Sequence, residues 1–389
     1  MGATNTPAPM AAGGSGAGSA GRPGQLAEEY EALRRGCGLA TRYAADGADT
    51  MEMLGPDRHR FLNAYVTCEV KGLAAGQGTY GFFTSAQGRI LADVVVIAHA
   101  DRFWLELPPG RQEAIAEHLR KYLIADRVEM RSLGEVLPLT LAGPGAAPAL
   151  TALAFQAGLD GSAEIDPAFE LPQEPWAHSR AIVGGTEVTV QRTERLGVPA
   201  LTLWVPAGRV EPLKELLLSG PGADGGGERV RPVAVGRDAL EVVRTEAGLP
   251  RFGQDFGPQN FPQETGAAAA VSFTKGCYLG QEVVARIHYR GGVQKALCGL
   301  VFDGPAVPVP GTALLFEGRE AGTLGTAVHS LALERPIGLA ILHRRAATPG
   351  SRLDLAGGGG AEVRALPIVD PKVTREGEPC GGRRRRWSP

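Results

Sequence analysis

An α+β chain of antiparallel sheets, ending in a small β-barrel, is the fold class that the sequence predicts. Three observations carry it. Tyr80–Thr84, the Ala86-Gln87-Gly88 turn and Ile90–Ala98 read as a hairpin whose second arm is nearly all apolar and therefore buried. Stretches of helical apolar period recur between strand-like runs through the first two-thirds of the chain. From Val293 onward only short strands with Gly and Pro turns remain, at the spacing of a small barrel.

The first helix begins near Gln25, where Leu26, Tyr30 and Leu33 share a face and Gly36 supplies a stop. A short strand follows at Met51–Leu54. Pro56 then stands where a helix starts, and Phe61, Leu62, Tyr65 and Val66 continue its apolar face. After the hairpin, Phe103–Leu107 reads as a strand and Arg111–Leu123 as a helix turning Ile115, Leu119 and Tyr122 inward. The Pro- and Ala-rich stretch Pro138–Pro148 marks a boundary. Beyond it come strands near Ala181–Val190 and Leu201–Val205, a helix over Val210–Leu218 and a glycine-rich surface loop, Gly220–Gly227. A further helix runs from Val235 to Ala247, where Gly248 and Pro250 stop it. The barrel strands are Leu297–Phe302, Ala313–Phe316, Gly322–His329, Ile337–Leu342 and Arg352–Leu355. The chain thus divides into a tail (1–24), an α+β unit (25–137), a second α+β unit (138–292), the barrel (293–370) and an Arg-rich tail (371–389).

Composition excludes several classes. With 389 residues the chain can bury a sizeable core. Its 40 basic and 42 acidic residues leave a net charge of −2, so nucleic-acid condensation by bulk charge is ruled out. The 55 glycines and 29 prolines are many, but a hydrophobic content of 43% indicates that most of the chain folds. Cys37, Cys68, Cys277, Cys298 and Cys380 form an odd set without CxxC spacing, which suggests neither a disulfide framework nor a zinc site. His99, His329 and His343 show no ligand spacing, and no metal is assigned. No membrane-length apolar run or signal-type leader occurs, and a cytoplasmic location is expected. The terminal Arg383–Arg386 run reads as a solvated tail, with transient contact to RNA or acidic surfaces as the other reading.

Chemistry concentrates in three places. Lys275-Gly276-Cys277-Tyr278-Leu279-Gly280-Gln281-Glu282 joins an apolar strand, Val271–Phe273, to a helix carrying Val283, Val284 and Ile287. At such a junction free N–H groups, the helix dipole and Lys275 would favour a Cys277 thiolate; alternatively Cys277 is a small buried apolar filler. Arg244 opens the run to Asp255 and sits near a helix C-terminus, where a cation is stabilised by the dipole or holds a carboxylate. Asp93, a lone acid in an apolar strand, either faces solvent by alternation or is buried with a partner; alternation favours exposure. His288 and Tyr289, after the octapeptide helix, line a cavity or a solvated helix end. Cys68 and Cys298 read as buried fillers, and Cys380 as accessible.

The KGC-[FY]-x-GQE octapeptide, the R-x-E-x-G-x-P-x-x-G-x-D run and the QGR-x-x-x-D hairpin together resemble the folate-binding YgfZ family, which is related to the aminomethyltransferase (T-protein) of the glycine-cleavage system. The resemblance spans Gln25 to Asp370. It implies a three-lobed T-protein-like arrangement around a central channel that accepts tetrahydrofolate. By it, Cys277 and Asp93 are the residues of the chemistry, and Arg244, Asp93, Lys275, Gly276, Tyr278, Gln281 and Glu282 surround the cofactor. T-proteins carry two adjacent acids where this chain reads Ala92-Asp93, and a strand glutamate where it reads Gly197 to Val205 with Thr202. Thr202 lacks the charge to hold a pterin ring as a glutamate would.

The resemblance thus implies a folate-binding accessory protein that supports assembly or repair of iron–sulfur clusters in client enzymes, including radical and tRNA-modifying ones. Independent turnover is not expected, and partners are folate and those clients rather than membranes or nucleic acid. A folate-dependent aminomethyltransferase or demethylase is the first alternative and an RNA-modification factor the second.

Overall fold

A computed structural model describes residues 24–41, 49–157, 170–220 and 230–370. Most of the glycine run after Gly220, both expected tails save Gly24, and Cys380 lie outside them.

The chain opens with helix α1 (Gln25–Arg35) and strand β1 (Gly38–Ala40). It continues through β2 (Asp49–Leu54), α2 (Arg58–Asn63), β3 (Gly78–Thr84), β4 (Ile90–Ala98), β5 (Arg102–Leu107), α3 (Gln112–Arg120) and β6 (Glu129–Ser132). Strands β2 to β6 form an antiparallel sheet of order β3-β4-β5-β2-β6. Met53, Phe61, Leu62, Phe83, Phe103 and Leu119 pack α2 and α3 against one of its faces.

The second sheet contains β7 (Val136–Ala142), β8 (His178–Val183), β9 (Thr186–Thr193), β10 (Ala200–Pro206) and β11 (Val233–Ala234) in the order β11-β1-β7-β10-β9-β8. Helices α4 (Ala146–Ala157) and α5 (Val210–Ser219) supply Leu150, Leu153, Leu213 and Leu217 to its core. Two expectations change here. The segment expected as one strand at 181–190 is a hairpin, because Gly184 (φ 56°) and Gly185 (φ 70°) take the left-handed conformation that a tight turn needs. Pro138, expected to mark a boundary, lies inside a central strand. It is tolerated because, among the described residues, β1 pairs only with Thr140–Ala142 and no strand pairs with the proline on that side.

Sheet membership does not follow chain order. Strand β1 comes from the stretch before the first sheet, yet pairs with β7 and, in parallel, with β11. The two sheets pack face to face through Val95, Ile97 and Trp204, flanked by Tyr80, Trp104 and Trp176. Val94 and Val96 point the other way, toward α2 and α3. Both faces of β4 are therefore interior, which is why that arm is almost continuously apolar.

Helix α6 (Arg237–Glu246) packs on α1 and, through Val328, Leu331 and Ala332, on the end of the barrel. Helix α7 (Gln281–Arg286) and a π-helical turn (Ile287–Gly291) lead into β12 (Lys295–Phe302), β13 (Ala313–Phe316), β14 (Arg319–Ser330), β15 (Arg335–His343), β16 (Arg352–Leu355) and β17 (Gly360–Arg364). These close in the order β12-β15-β14-β13-β16-β17. The closing strand, β17, was not expected; it joins β12 to β16 and removes both sheet edges.

Candidate functional site

The octapeptide and the residues just before it are fastened to the stretch after α2 and to β3. Ser272 N–H donates to the Thr67 carbonyl (2.8 Å) and Leu279 N–H to the Ala64 carbonyl (2.9 Å). Thr67 Oγ1 donates to the Ala270 carbonyl (2.6 Å), and Thr84 Oγ1 to the Leu279 carbonyl (2.6 Å). Gly280 adopts φ 84°, and a Cβ there would lie 2.4 Å from the Ser85 carbonyl oxygen. Gly88, in the hairpin turn, approaches Val283 less tightly, at 3.1 Å for a Cβ. The two glycines let the GQE turn and the QGR turn interlock.

Residues 271–273 are not a strand. A 3-10 turn, Ala268–Ala270, precedes them, and α7 begins only at Gln281, so Cys277 does not stand at a strand–helix junction. Nor does Lys275 lend it charge: the buried ammonium donates to the carbonyls of Val66 (2.8 Å) and Cys68 (2.5 Å). Burial pushes that lysine down to about 8. Cys277 is exposed, while Cys37, Cys68 and Cys298 are buried. Tyr278 is buried with its hydroxyl unpartnered, and burial raises it to about 12. Gln281 Oε1 accepts from Tyr278 N–H (3.2 Å), Glu282 is exposed, and Gly276 has open space around it.

Arg244 is buried on α6. Its Nη1 donates to Asp255 Oδ2 (3.0 Å) and to the Leu249 carbonyl, and its Nη2 to Glu241 Oε2 (2.7 Å) and Thr326 Oγ1 (2.8 Å). Asp255 Oδ1 accepts the Thr326 N–H (2.8 Å), and Glu246 accepts the hydroxyls of Tyr30 (2.8 Å) and Ser330 (2.6 Å). The R-x-E-x-G-x-P-x-x-G-x-D run thus ties α6 to α1 and to the barrel. Nε is the Arg244 donor without an acceptor, so a direct ligand contact would run through that atom.

Asp93 is 2% exposed, against the solvent position that alternation favoured. It shares a strand face with Val95 and Ile97, and that face lies against the second sheet. Asp93 Oδ2 accepts from Tyr80 Oη (3.0 Å) and Arg195 Nη1 (2.9 Å), while Oδ1 is buried without a partner. Arg195 Nε also lies 3.6 Å from Glu106 Oε1. Burial, reinforced by Asp93, raises Glu106 above the usual carboxylate range despite Arg195. Tyr80 and Trp176 stack at 5.6 Å beneath the Arg195 guanidinium. Arg195, Glu106, Tyr80 and Trp176 were not singled out from the sequence. An acid and a lone arginine flanking apolar strands were the available signals, but they pair only across two sheets. Thr202 is buried, its hydroxyl 3.1 Å from that of Thr140.

An orphaned, buried acceptor beside stacked aromatic rings fits a planar ring bearing N–H groups, as in a reduced pterin. No helix among the described residues is long and apolar enough to cross a membrane.

Comparison with known proteins agrees with this architecture. The GCVT N-terminal domain matches residues 21–275, and the glycine cleavage T-protein C-terminal barrel domain matches residues 295–371. An aminomethyltransferase of Bacillus licheniformis is 28% identical, over 82% of this chain and 83% of its own. The tRNA-modifying protein YgfZ of Cronobacter sakazakii is 29% identical, over 70% of this chain and 76% of its own. The crystal structure of aminomethyltransferase T from Bartonella henselae superposes with a TM-score of 0.72 at 22% identity, covering 89% of this chain and 90% of that one. With both domains matched in order along nearly the whole described chain, this protein belongs to the glycine cleavage T-protein family.

Proposed function

We propose that this chain binds tetrahydrofolate between its two sheets and acts as an accessory protein, supporting assembly or repair of iron–sulfur clusters in client enzymes such as tRNA-modifying and radical enzymes. The observation that carries the reading is the exposed Cys277, held on a segment hydrogen-bonded on both sides of it to the Ala64–Thr67 stretch after α2, and through Thr84 to β3. In this reading Asp93 Oδ1 accepts an N–H of the pterin, Arg195 and Tyr80 position that carboxylate, and the Tyr80–Trp176 stack borders the ring. Arg244 and the buried Lys275 and Tyr278 complete the surroundings. Tetrahydrofolate, when bound, supplies a carrier for one-carbon units. Cys277 supplies a thiol to which iron or sulfur can bind, or which can exchange with a disulfide. A cytoplasmic location belongs to the same proposal.

Calorimetric titration with tetrahydrofolate tests the binding half: Asp93→Ala should abolish binding and Cys277→Ala should leave it intact. Client activity in cells carrying Cys277→Ala tests the other half, and full support by that variant would remove the thiol from the mechanism.

A second reading, a folate-dependent aminomethyltransferase or demethylase, is favoured by the buried Asp93–Arg195–Glu106 constellation and by relatives of that name at similar identity. Thr202, in place of a carboxylate, speaks against it. Methylene-tetrahydrofolate formed from a lipoyl-bound aminomethyl donor would decide for the enzyme.

A further inference from the structure

The surface beside the octapeptide combines aromatic rings and unpaired cations. Immediately after α7, the π-helical turn presents His288 and Tyr289, both exposed, the latter at 69%. His288 stacks on Phe273 at 3.9 Å with 17° between ring planes. Tyr289 stands edge-on to both rings, 6.0 Å from Phe273 and 4.8 Å from His288. Phe273 is half-buried against the core that holds Phe82 and Val284, whereas His288 and Tyr289 stand in solvent, although leaving a tyrosine in water forgoes its packing energy.

Cations ring it. Arg286 is exposed on α7, and the Arg344 guanidinium reaches within 4.0 Å of a Cβ placed on Gly292, at the end of the π-helical turn. Lys295 pairs in register with His343, next to Arg344 and Arg345. Arg286, Lys295, Arg344 and Arg345 are all exposed, and none forms an ion pair among the described residues. The exposed acids on these elements are Glu282, one turn before Arg286, and Glu320, whose carbonyl accepts from Arg345. Positive charge therefore prevails on a protein that is slightly acidic as a whole.

We propose that this face binds a single-stranded polynucleotide, bases stacking on the Phe273–His288–Tyr289 cluster and phosphates meeting Arg286, Lys295 and Arg344. Cations alone would equally suit an acidic peptide. Planar rings open to solvent among them are what unpaired bases use, since every base has a face to stack and no sequence need be read. The proposal is independent of the folate reading and adds a nucleic-acid partner to it, placed beside Cys277 rather than in the terminal arginine run.

Fluorescence anisotropy with the full chain tests it, using labelled single-stranded RNA of about twelve uridines, the equivalent thymidine DNA, a duplex and a polyglutamate peptide. Single strands should bind and the duplex and peptide should not; tighter binding of RNA than of DNA would identify the source as RNA. Tyr289→Ala should weaken binding roughly 5- to 100-fold with an unchanged salt slope, and Tyr289→Phe should restore it. Arg286→Gln with Arg344→Gln should reduce the slope of log affinity against log salt by about 0.7 per cation removed. Absent single-strand binding, wild-type affinity in Tyr289→Ala and the arginine variants alike, or peptide binding that survives Tyr289→Ala would each overturn the proposal.

Discussion

Asp93 depends on a residue a hundred positions away in the chain: Arg195 reaches across the sheet interface to hold it. Removing that arginine would leave two carboxylates, Asp93 and Glu106, buried without their cation. Breaking a buried pair costs about 3–5 kcal/mol, and the partial exposure of Arg195 puts the expectation for Arg195→Gln near 3 kcal/mol. Urea denaturation checks this, and Arg195→Lys should recover part of the loss. The cysteines form a second contrast at this scale. Burial pushes Cys37 up to about 12 and Cys68 and Cys298 up to about 11, so these three should resist a thiol reagent in the native state. Cys277 should react at once, and Cys277→Ser should remove one fast-reacting thiol in a native-state titration. Cys277 was legible as a candidate from its motif. Its exposure was not, because spacing alone does not say whether a sulfur faces water.

Turn against turn is what fixes the octapeptide. Gly280 combines a positive φ with a close approach to Ser85, whereas Gly276 has neither constraint. Gly280→Ala should therefore destabilise by about 1–3 kcal/mol and change the labelling rate of Cys277, while Gly276→Ala should do little. Thermal denaturation of the two variants side by side measures the difference. Both glycines look alike in the sequence; only the neighbouring hairpin distinguishes them. Helix limits were readable to within a few residues: the expected 235–247 helix is observed at Arg237–Glu246, and 210–218 at Val210–Ser219. Capping glycines and apolar period are local signals, which explains that success. Strand β7 was hidden because its proline suggested a break, and β17 because a short strand with one Val and one Ala at its buried positions has little apolar pattern to show.

Across the whole molecule, Asp255 is the bolt between α6 and the barrel, accepting from Arg244, Arg251 N–H and Thr326 N–H with its side chain fully buried. Asp255→Ala should cost about 3–5 kcal/mol and separate the barrel's denaturation from that of the two sheets, a split that tryptophan fluorescence and circular dichroism would register as non-coincident transitions. The sheet interface also holds His99 and His178, ring centroids 4.7 Å apart, each pushed by burial from the ordinary 6.5 down to about 4. The unfolded chain protonates both near pH 6.5 and the native fold only near pH 4. Between those values the unfolded state binds more protons, so stability is full above pH 6.5 and declines as pH falls toward 4. Replacing both with Gln should flatten that decline in urea midpoints measured against pH.

By itself the sequence determined the positions of several helices, the antiparallel hairpin, the terminal barrel and the motifs that resemble the T-protein family, since each is written in residues near one another along the chain. The tertiary structure decided the rest: that both faces of β4 are interior and Asp93 is buried, that Lys275 turns its charge to the Val66 and Cys68 carbonyls, and that Cys277 reaches water. Those outcomes depend on which surfaces meet when two sheets and a barrel pack together, and apolar period records that a face is buried without recording against what.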